Sequence, residues 1–189
     1  MSPTPARTSR EAIVAAARSI LEEEGLDAVT MANVAARVGV RPPSLYKHVR
    51  DRGALIAAVA DEAASELGLL MNEAVESVPG EGVDARLLRA ALAFRVHAGR
   101  SPRSVSLVFA GLGGSLQPSV EAAAIAARPL LEVSAELAGP DRALVAARAL
   151  TAFAYGFCAM EQGRAFRFGG DVDDAFRAGI RALIRGLAA

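Results

Sequence analysis

Few side chains in this chain of 189 residues are suited to bond-making chemistry. The two histidines, His48 and His97, lie far apart in sequence. Neither has cysteines or paired carboxylates at ligand spacing, so no metal site is expected. Ser101, Ser104, Ser106 and Ser115 stand in no nucleophile context. No Ser-His-Asp arrangement, phosphate loop or dinucleotide fingerprint is visible. The expectation is therefore a protein that is not an enzyme and needs no cofactor. What the sequence does concentrate is positive charge. Residues 37–52 hold Arg37, Arg41, Lys47, Arg50 and Arg52 against the single acid Asp51. Lys47 is the only lysine, Tyr46 is one of two tyrosines, and Pro42 and Pro43 are adjacent. The chain as a whole has a formal net charge of zero, so an anionic partner would meet this local patch rather than a basic molecule.

The elements that must position this patch read as helices. Thr8 and Glu11 have capping-box spacing, and Ile13, Ala16, Ala17, Ile20 and Leu21 follow as an apolar stripe, giving a helix over about 9–24 that Gly25 stops. Thr30 can cap a short second helix that ends at Gly39, with Val34, Ala35 and Val38 inward. A third helix is expected from about Pro43 to Val49, and Asp51 can cap a fourth reaching about Glu76. The boundary of the third is expected between the prolines, because a proline disfavours helical geometry in the residue before it. Two missing backbone donors would leave Ser44 to meet a phosphate by its N–H and hydroxyl. Further helices are expected at 85–99, 103–112, 119–137, 141–163 and 173–187, and strand alternation is absent. The fold class expected is all-α: a three-helix helix-turn-helix DNA-binding domain over 8–54, then a helical ligand-binding and dimerisation domain over 55–189.

On the third helix Leu45 and Val49 face the core, so Ser44, Lys47 and His48 lie away from that seam and Tyr46 reaches over its edge. A short basic helix with a polar outer face fits the major groove of DNA, and Arg41, Arg50 and Arg52 at its ends can meet phosphates. Cys158 excludes an internal disulfide and sits in an apolar helix where it packs. The N-terminus lacks the apolar core of a signal peptide. The longest uncharged run, 104–120, is broken by Gly111, Gly113, Gly114 and Pro118, so a cytoplasmic protein with no membrane span is expected.

These residues resemble the N-terminal signature of the TetR family of bacterial transcriptional regulators. The match runs through Thr30, Val34, Ala35, Gly39 and Val40, then Ser44, Leu45, Tyr46, His48 and Val49, then Asp51, Arg52 and Leu55. The position of Val49 is usually aromatic in that family, and that of Arg52 is usually lysine. The resemblance implies Thr30 at a phosphate, Ser44, Tyr46 and His48 at the backbone or groove wall, and Arg41, Pro43 and Lys47 near bases. The stretch 155–187 is similar to the ligand-domain end of a subgroup of the family. It implies that the eighth and ninth helices form a four-helix dimer interface, with Phe157, Glu161, Phe176, Ile180 and Leu183 as candidate contacts. The expected partners are thus a double-stranded operator, an unidentified small molecule and a second copy of the chain.

Phe94, His97, Phe109, Phe153 and Phe157 are candidate pocket residues for an apolar ligand, although a plain core would use the same types. The residues from 141 to 163 are apolar on nearly every face, which points to burial on more than one side and so to a partner subunit. The competing reading is a helical small-molecule-binding or enzymatic protein whose N-terminal head is only structural. Burial of Tyr46 and Lys47 would favour it.

Overall fold

The computed structural model describes residues 8–109 and 116–188. The fold is all-helical. The order is α1 (Arg10–Glu24), a single 3-10 turn (Leu26–Ala28), α2 (Met31–Arg37), α3 (Pro42–Leu45), α4 (Arg52–Glu76), α5 (Val83–Arg100), α6 (Pro102–Phe109), α7 (Val120–Ala138), α8 (Ala143–Gln162) and α9 (Val172–Leu187). The expected end of the sixth helix, beyond Phe109, lies outside the described residues.

The chain divides into two compact units, Met1–Ala64 with Arg103–Ala122, and Ser65–Pro102 with Ala123–Ala189. The first unit is thus larger than the expected 8–54 head. Its core needs Leu55, Ile56, Val59 and Ala60 of α4 and Leu107 of α6 beside Ile13, Ala17, Ile20, Val34 and Leu45.

Within that unit α1 and α2 are each started by a side chain and followed by a glycine. Ser9, not Thr8, caps α1: its Oγ accepts the Ala12 N–H at 3.1 Å. The hydroxyl one residue further on takes the capping place because Ser9 is the last residue with extended backbone. Thr30 Oγ1 accepts the Asn33 N–H at 3.1 Å at the start of α2. After α2, Gly39 adopts φ 74°, and the Val40 N–H reaches the Ala35 carbonyl (2.9 Å) while the Gly39 N–H reaches Ala36 (3.2 Å). That paired closure needs a left-handed residue, which glycine supplies without strain. Asp51 starts α4, its Oδ1 accepting the Ala54 N–H at 2.8 Å.

The second unit is built on α5, α8 and α9, which pack against one another. Leu87, Ala90 and Phe94 of α5, Leu150, Ala154 and Cys158 of α8, and Phe176, Ile180 and Ile184 of α9 are buried. Phe157 is the hub of an aromatic cluster, 5.7 Å from Phe153, 4.6 Å from Phe166 and 5.1 Å edge-on from Phe176 between ring centres. Arg95 lies over two of these rings and pairs with Glu161 and Asp173, tying α5 to α8 and α9. Gly179 makes room for the cluster, since a Cβ there would sit 2.2 Å from the Phe153 ring. Pro129 lies inside α7 and has no N–H for the Ile125 carbonyl. Gly68 of α4 approaches that carbonyl so closely that a Cβ would come within 2.9 Å.

Candidate nucleic-acid interface

The turn into α3 is set by proline chemistry. Arg41 is extended (φ −84°, ψ 145°), and Pro42 and Pro43 occupy the first two helical positions. The helix therefore begins one residue earlier than expected. Neither proline loses a bond there, because the first N–H groups of a helix have no internal partner. The helical path continues past Leu45 as a turn, closed by the His48 and Val49 N–H groups on the Leu45 carbonyl at 2.9 and 3.0 Å. Leu45 and Val49 are buried, which fixes the roll of the segment.

That roll turns Arg41, Pro43, Tyr46, Lys47 and His48 outward, all exposed, with Tyr46 at 54%. Among the described residues neither Arg41 nor Lys47 forms an ion pair. Ser44 is half-buried, and its N–H is not available to a phosphate as expected: it donates to the Arg41 carbonyl at 2.9 Å, leaving the hydroxyl. Thr30 accepts at its own helix start, so its O–H proton remains for an acceptor outside.

The other cations of the basic stretch are already engaged. Arg37 lays its guanidinium on Glu23 (3.0 and 3.2 Å) and on Ser19 (2.9 Å), which holds the Glu23 carboxyl below its ordinary range. Arg50 pairs with Asp51 at 2.8 Å. The Asp51 carboxyl is held low first by the Ala54 N–H and then by Arg50. Arg52, expected at DNA, is turned inward instead. It donates to the carbonyls of Val29 and Leu26, both at 2.7 Å, and fastens the start of α4 to the turn after α1. Sequence reasoning missed this because both acceptors are backbone atoms more than twenty residues upstream, and a carbonyl carries no residue-type signal.

The comparisons agree with this geometry. Residues 13–59 match the family model described as bacterial regulatory proteins, tetR family. The tetracycline repressor protein class D of Escherichia coli is 40% identical over 57 residues, 30% of this chain and 26% of that protein. The aligned part thus spans about a quarter of that repressor. The HTH-type transcriptional regulator YobS of Bacillus subtilis is 27% identical over 187 residues, 99% of this chain and 96% of that one. Among solved structures, a protein of unknown function from Rhodococcus sp. RHA1 superposes with a TM-score of 0.83 at 26% identity, over 100% of both chains. A TetR variant from Acinetobacter baumannii AYE in complex with minocycline gives 0.70 at 26% identity, over 95% of this chain and 96% of that one. Residues 13–59 belong to the TetR family of bacterial regulatory proteins.

The residues expected to serve the TetR ligand and dimer functions are redistributed by the fold. Phe94 and His97 are buried on α5, and His97 Nδ1 lies 3.9 Å from Glu66 Oε1. Phe153 and Phe157 are half-buried and committed to the aromatic cluster with Phe176. Phe109 belongs to the first unit, so the five do not assemble as one group within the second. Of the expected dimer contacts, Phe176 and Ile180 are fully enclosed in their own subunit, at 0% exposure, and the interface role is withdrawn for both. Glu161 is held by Arg95 at 2.6 and 2.9 Å. Phe157 and Leu183 are half-buried. The faces left open are different ones. On α8, Val145, Ala152 and Ala159 recur every seven residues and are exposed, flanked by Leu144 and Met160. On α9, Ala175, Ala178, Ala182 and Gly186 are exposed.

Proposed function

We infer that the protein is a ligand-responsive repressor that binds a near-palindromic operator as a homodimer and is released from it by an apolar small molecule. The observation that carries this reading is the outer face of α3 and its following turn. Arg41, Tyr46, Lys47 and His48 are exposed together on a rigid proline-started helix whose inner residues, Leu45 and Val49, are buried. A side-chain set of that shape suits the major groove, with Lys47 and Arg41 at base edges and Thr30, Ser44 and Tyr46 at the sugar-phosphate wall. Their exposure also counts against a head that is only structural.

DNA reading is assigned to residues 8–54, and ligand binding and pairing to the helices of 55–189. A two-fold dimer through α8 and α9 would set two copies of α3 one helical turn of DNA apart, about 34–36 Å. A ligand with different affinity for two arrangements of such a dimer would shift that spacing, typically by about 1–3 kcal/mol of coupling. Minocycline is bound by one relative, which supports a small-molecule site in the C-terminal helices here. A cytoplasmic location follows from the same reading.

The test is selection of bound duplexes from a random pool, followed by affinity over a salt series. The reading expects a near-palindromic consensus and a steep fall in affinity with salt, because displaced counterions return to the DNA. A flat slope, or no consensus, overturns it.

A further inference from the structure

In the major groove each base shows its own set of donors, acceptors and methyl groups. Guanine offers two acceptors, O6 and N7, which suit a cationic donor. Adenine sets a donor beside an acceptor and suits the carboxamide of Asn or Gln. Cytosine offers a donor and suits a carboxylate, and thymine adds a methyl for apolar contact. Residues 30–50, from the cap of α2 to the turn after α3, contain no Asp, Glu or Gln and a single Asn. That Asn33 is already used: its Nδ2 donates to the Ala28 carbonyl at 2.8 Å, which holds it at the start of α2. The exposed Ala32 and Ala36 bring α2 no polar group. The stretch thus lacks a free reader for adenine or cytosine.

Its cations are sorted in the same way. Arg37 is bound by Glu23 and Glu24, and Arg50 by Asp51. Arg41 and Lys47 are left, both exposed. Lys47 and Pro43 are four residues apart and lie away from the buried Leu45, so they share the outer face. Arg41 is the residue before the first helical position, at the end of the segment that a recognition helix points at base edges. Pro42 and Pro43 add exposed rings at that same end and no backbone donor, so what they offer is apolar surface. The hydroxyls of Thr30, Ser44 and Tyr46 suit any base or phosphate and carry no preference of their own.

We propose that this head reads guanine and thymine and no other base directly. Arg41 and Lys47 donate to O6 and N7 of guanines, and Pro43, with Pro42 beside it, packs on the methyl of an adjoining thymine. The planar fork of Arg41 reaches both acceptors of one guanine, whereas Lys47 meets its guanine as a point donor. Adenine and cytosine enter each half-site only as complements. This names the substrate of the DNA-reading face and rests on the operator-binding reading above.

The experiment uses the full chain and the duplex selected from the random pool, remade with single replacements. 7-Deazaguanine puts a C–H in place of N7, and uracil removes the thymine methyl. Wild-type affinity falls about tenfold at one or two guanines of each half-site. It falls about fourfold at the neighbouring thymine, the worth of one buried methyl. In Arg41→Ala one of those guanines becomes indifferent to the replacement, within about twofold, while the other still responds, and Pro43→Ala does the same at the thymine. Selection repeated with Arg41→Gln exchanges that guanine for adenine, a result that general weakening or loss of folding does not produce. A selected half-site without guanine overturns the proposal. So does a wild type that ignores 7-deazaguanine at every half-site position, or full sensitivity at every guanine in both Arg41→Ala and Lys47→Ala. If selection returns no preferred sequence at all, the operator-binding reading itself has failed, a distinguishable result.

Discussion

At the scale of single residues, one arginine and the one lysine in the same basic stretch do different work. Lys47 is exposed and without an ion pair among the described residues, while Arg52 is bound to two carbonyls. Lys47→Ala should therefore weaken operator binding by ~1–3 kcal/mol, relax specificity at the base pair it meets, and leave thermal stability unchanged. Fluorescence anisotropy against operator variants, with a melting curve alongside, checks both halves. Arg52→Ala should do the reverse in its primary effect. Two carbonyls lose a charged donor, so stability falls by about 2 kcal/mol in a denaturant titration. Arg52→Lys should cost less, because an ammonium offers several donors, although not the planar fork that reaches both carbonyls. Cys158 makes a third case. Burial, with Glu161 adding to it, pushes its thiol up to about 11. Only about one molecule in a thousand carries the thiolate at pH 8, so a thiol reagent should leave the native protein nearly unmodified and react promptly after denaturation.

At the scale of elements, legibility followed the range of the interaction. Thr30 and Asp51 were readable as caps because a cap reaches only three residues forward, to Asn33 and Ala54. The start of α3 was misplaced by one residue because two local rules conflict at Pro42: being before a proline disfavours helix, and being at a helix start favours proline. The structure shows the second winning, with Arg41 taking the extended geometry. The apolar stripe of α9 was legible, but whether Phe176 and Ile180 meet their own chain or a second copy was not, since periodicity gives a face and not its occupant. Equally invisible was Arg95, whose partners Glu161 and Asp173 lie in other helices. That clamp gives the helix trio a pH dependence. Hydrogen bonding from Arg95 holds the Glu161 carboxyl below its ordinary value. A carboxylate with a lowered folded pKa adds stability above its unfolded pKa of about 4.3, and loses it as pH falls through the folded value. Melting temperature should accordingly drop on acidification below about pH 4, and Glu161→Gln should flatten that part of the profile while lowering stability at neutral pH.

At the scale of the whole molecule, the open question is what covers α8, a helix whose apolar residues outnumber what its own subunit buries. Its length and apolar composition would even suit a bilayer span. Yet Ala146, Leu150, Ala154 and Cys158 are buried on one side of a helix that packs on α5 and α9, and Arg148 stands exposed on another. On the proposed dimeric reading, a second copy is the occupant that accounts for both sides. Small residues at Ala152 and Ala159 of α8 and at Ala175, Ala178 and Ala182 of α9 would let helices from two subunits approach closely, with Val145 and Met160 supplying apolar area. Ala152→Glu puts a charge at the middle of that face. Because Ala152 is exposed in the isolated subunit, the monomer should keep its helicity and nearly its melting behaviour. In a dimer the same carboxylate would be desolvated opposite its own symmetry copy, a like-charge contact that costs several kcal/mol. Sedimentation velocity should thus find wild-type dimers and Ala152→Glu monomers. Operator binding should change with it, since one subunit can hold only one half-site: affinity falls by orders of magnitude, and the slope of log affinity against log salt falls to about half, reflecting half the phosphate contacts. A variant that stays dimeric, or a monomer that binds the full operator with an unchanged slope, would place the subunit contact on another face.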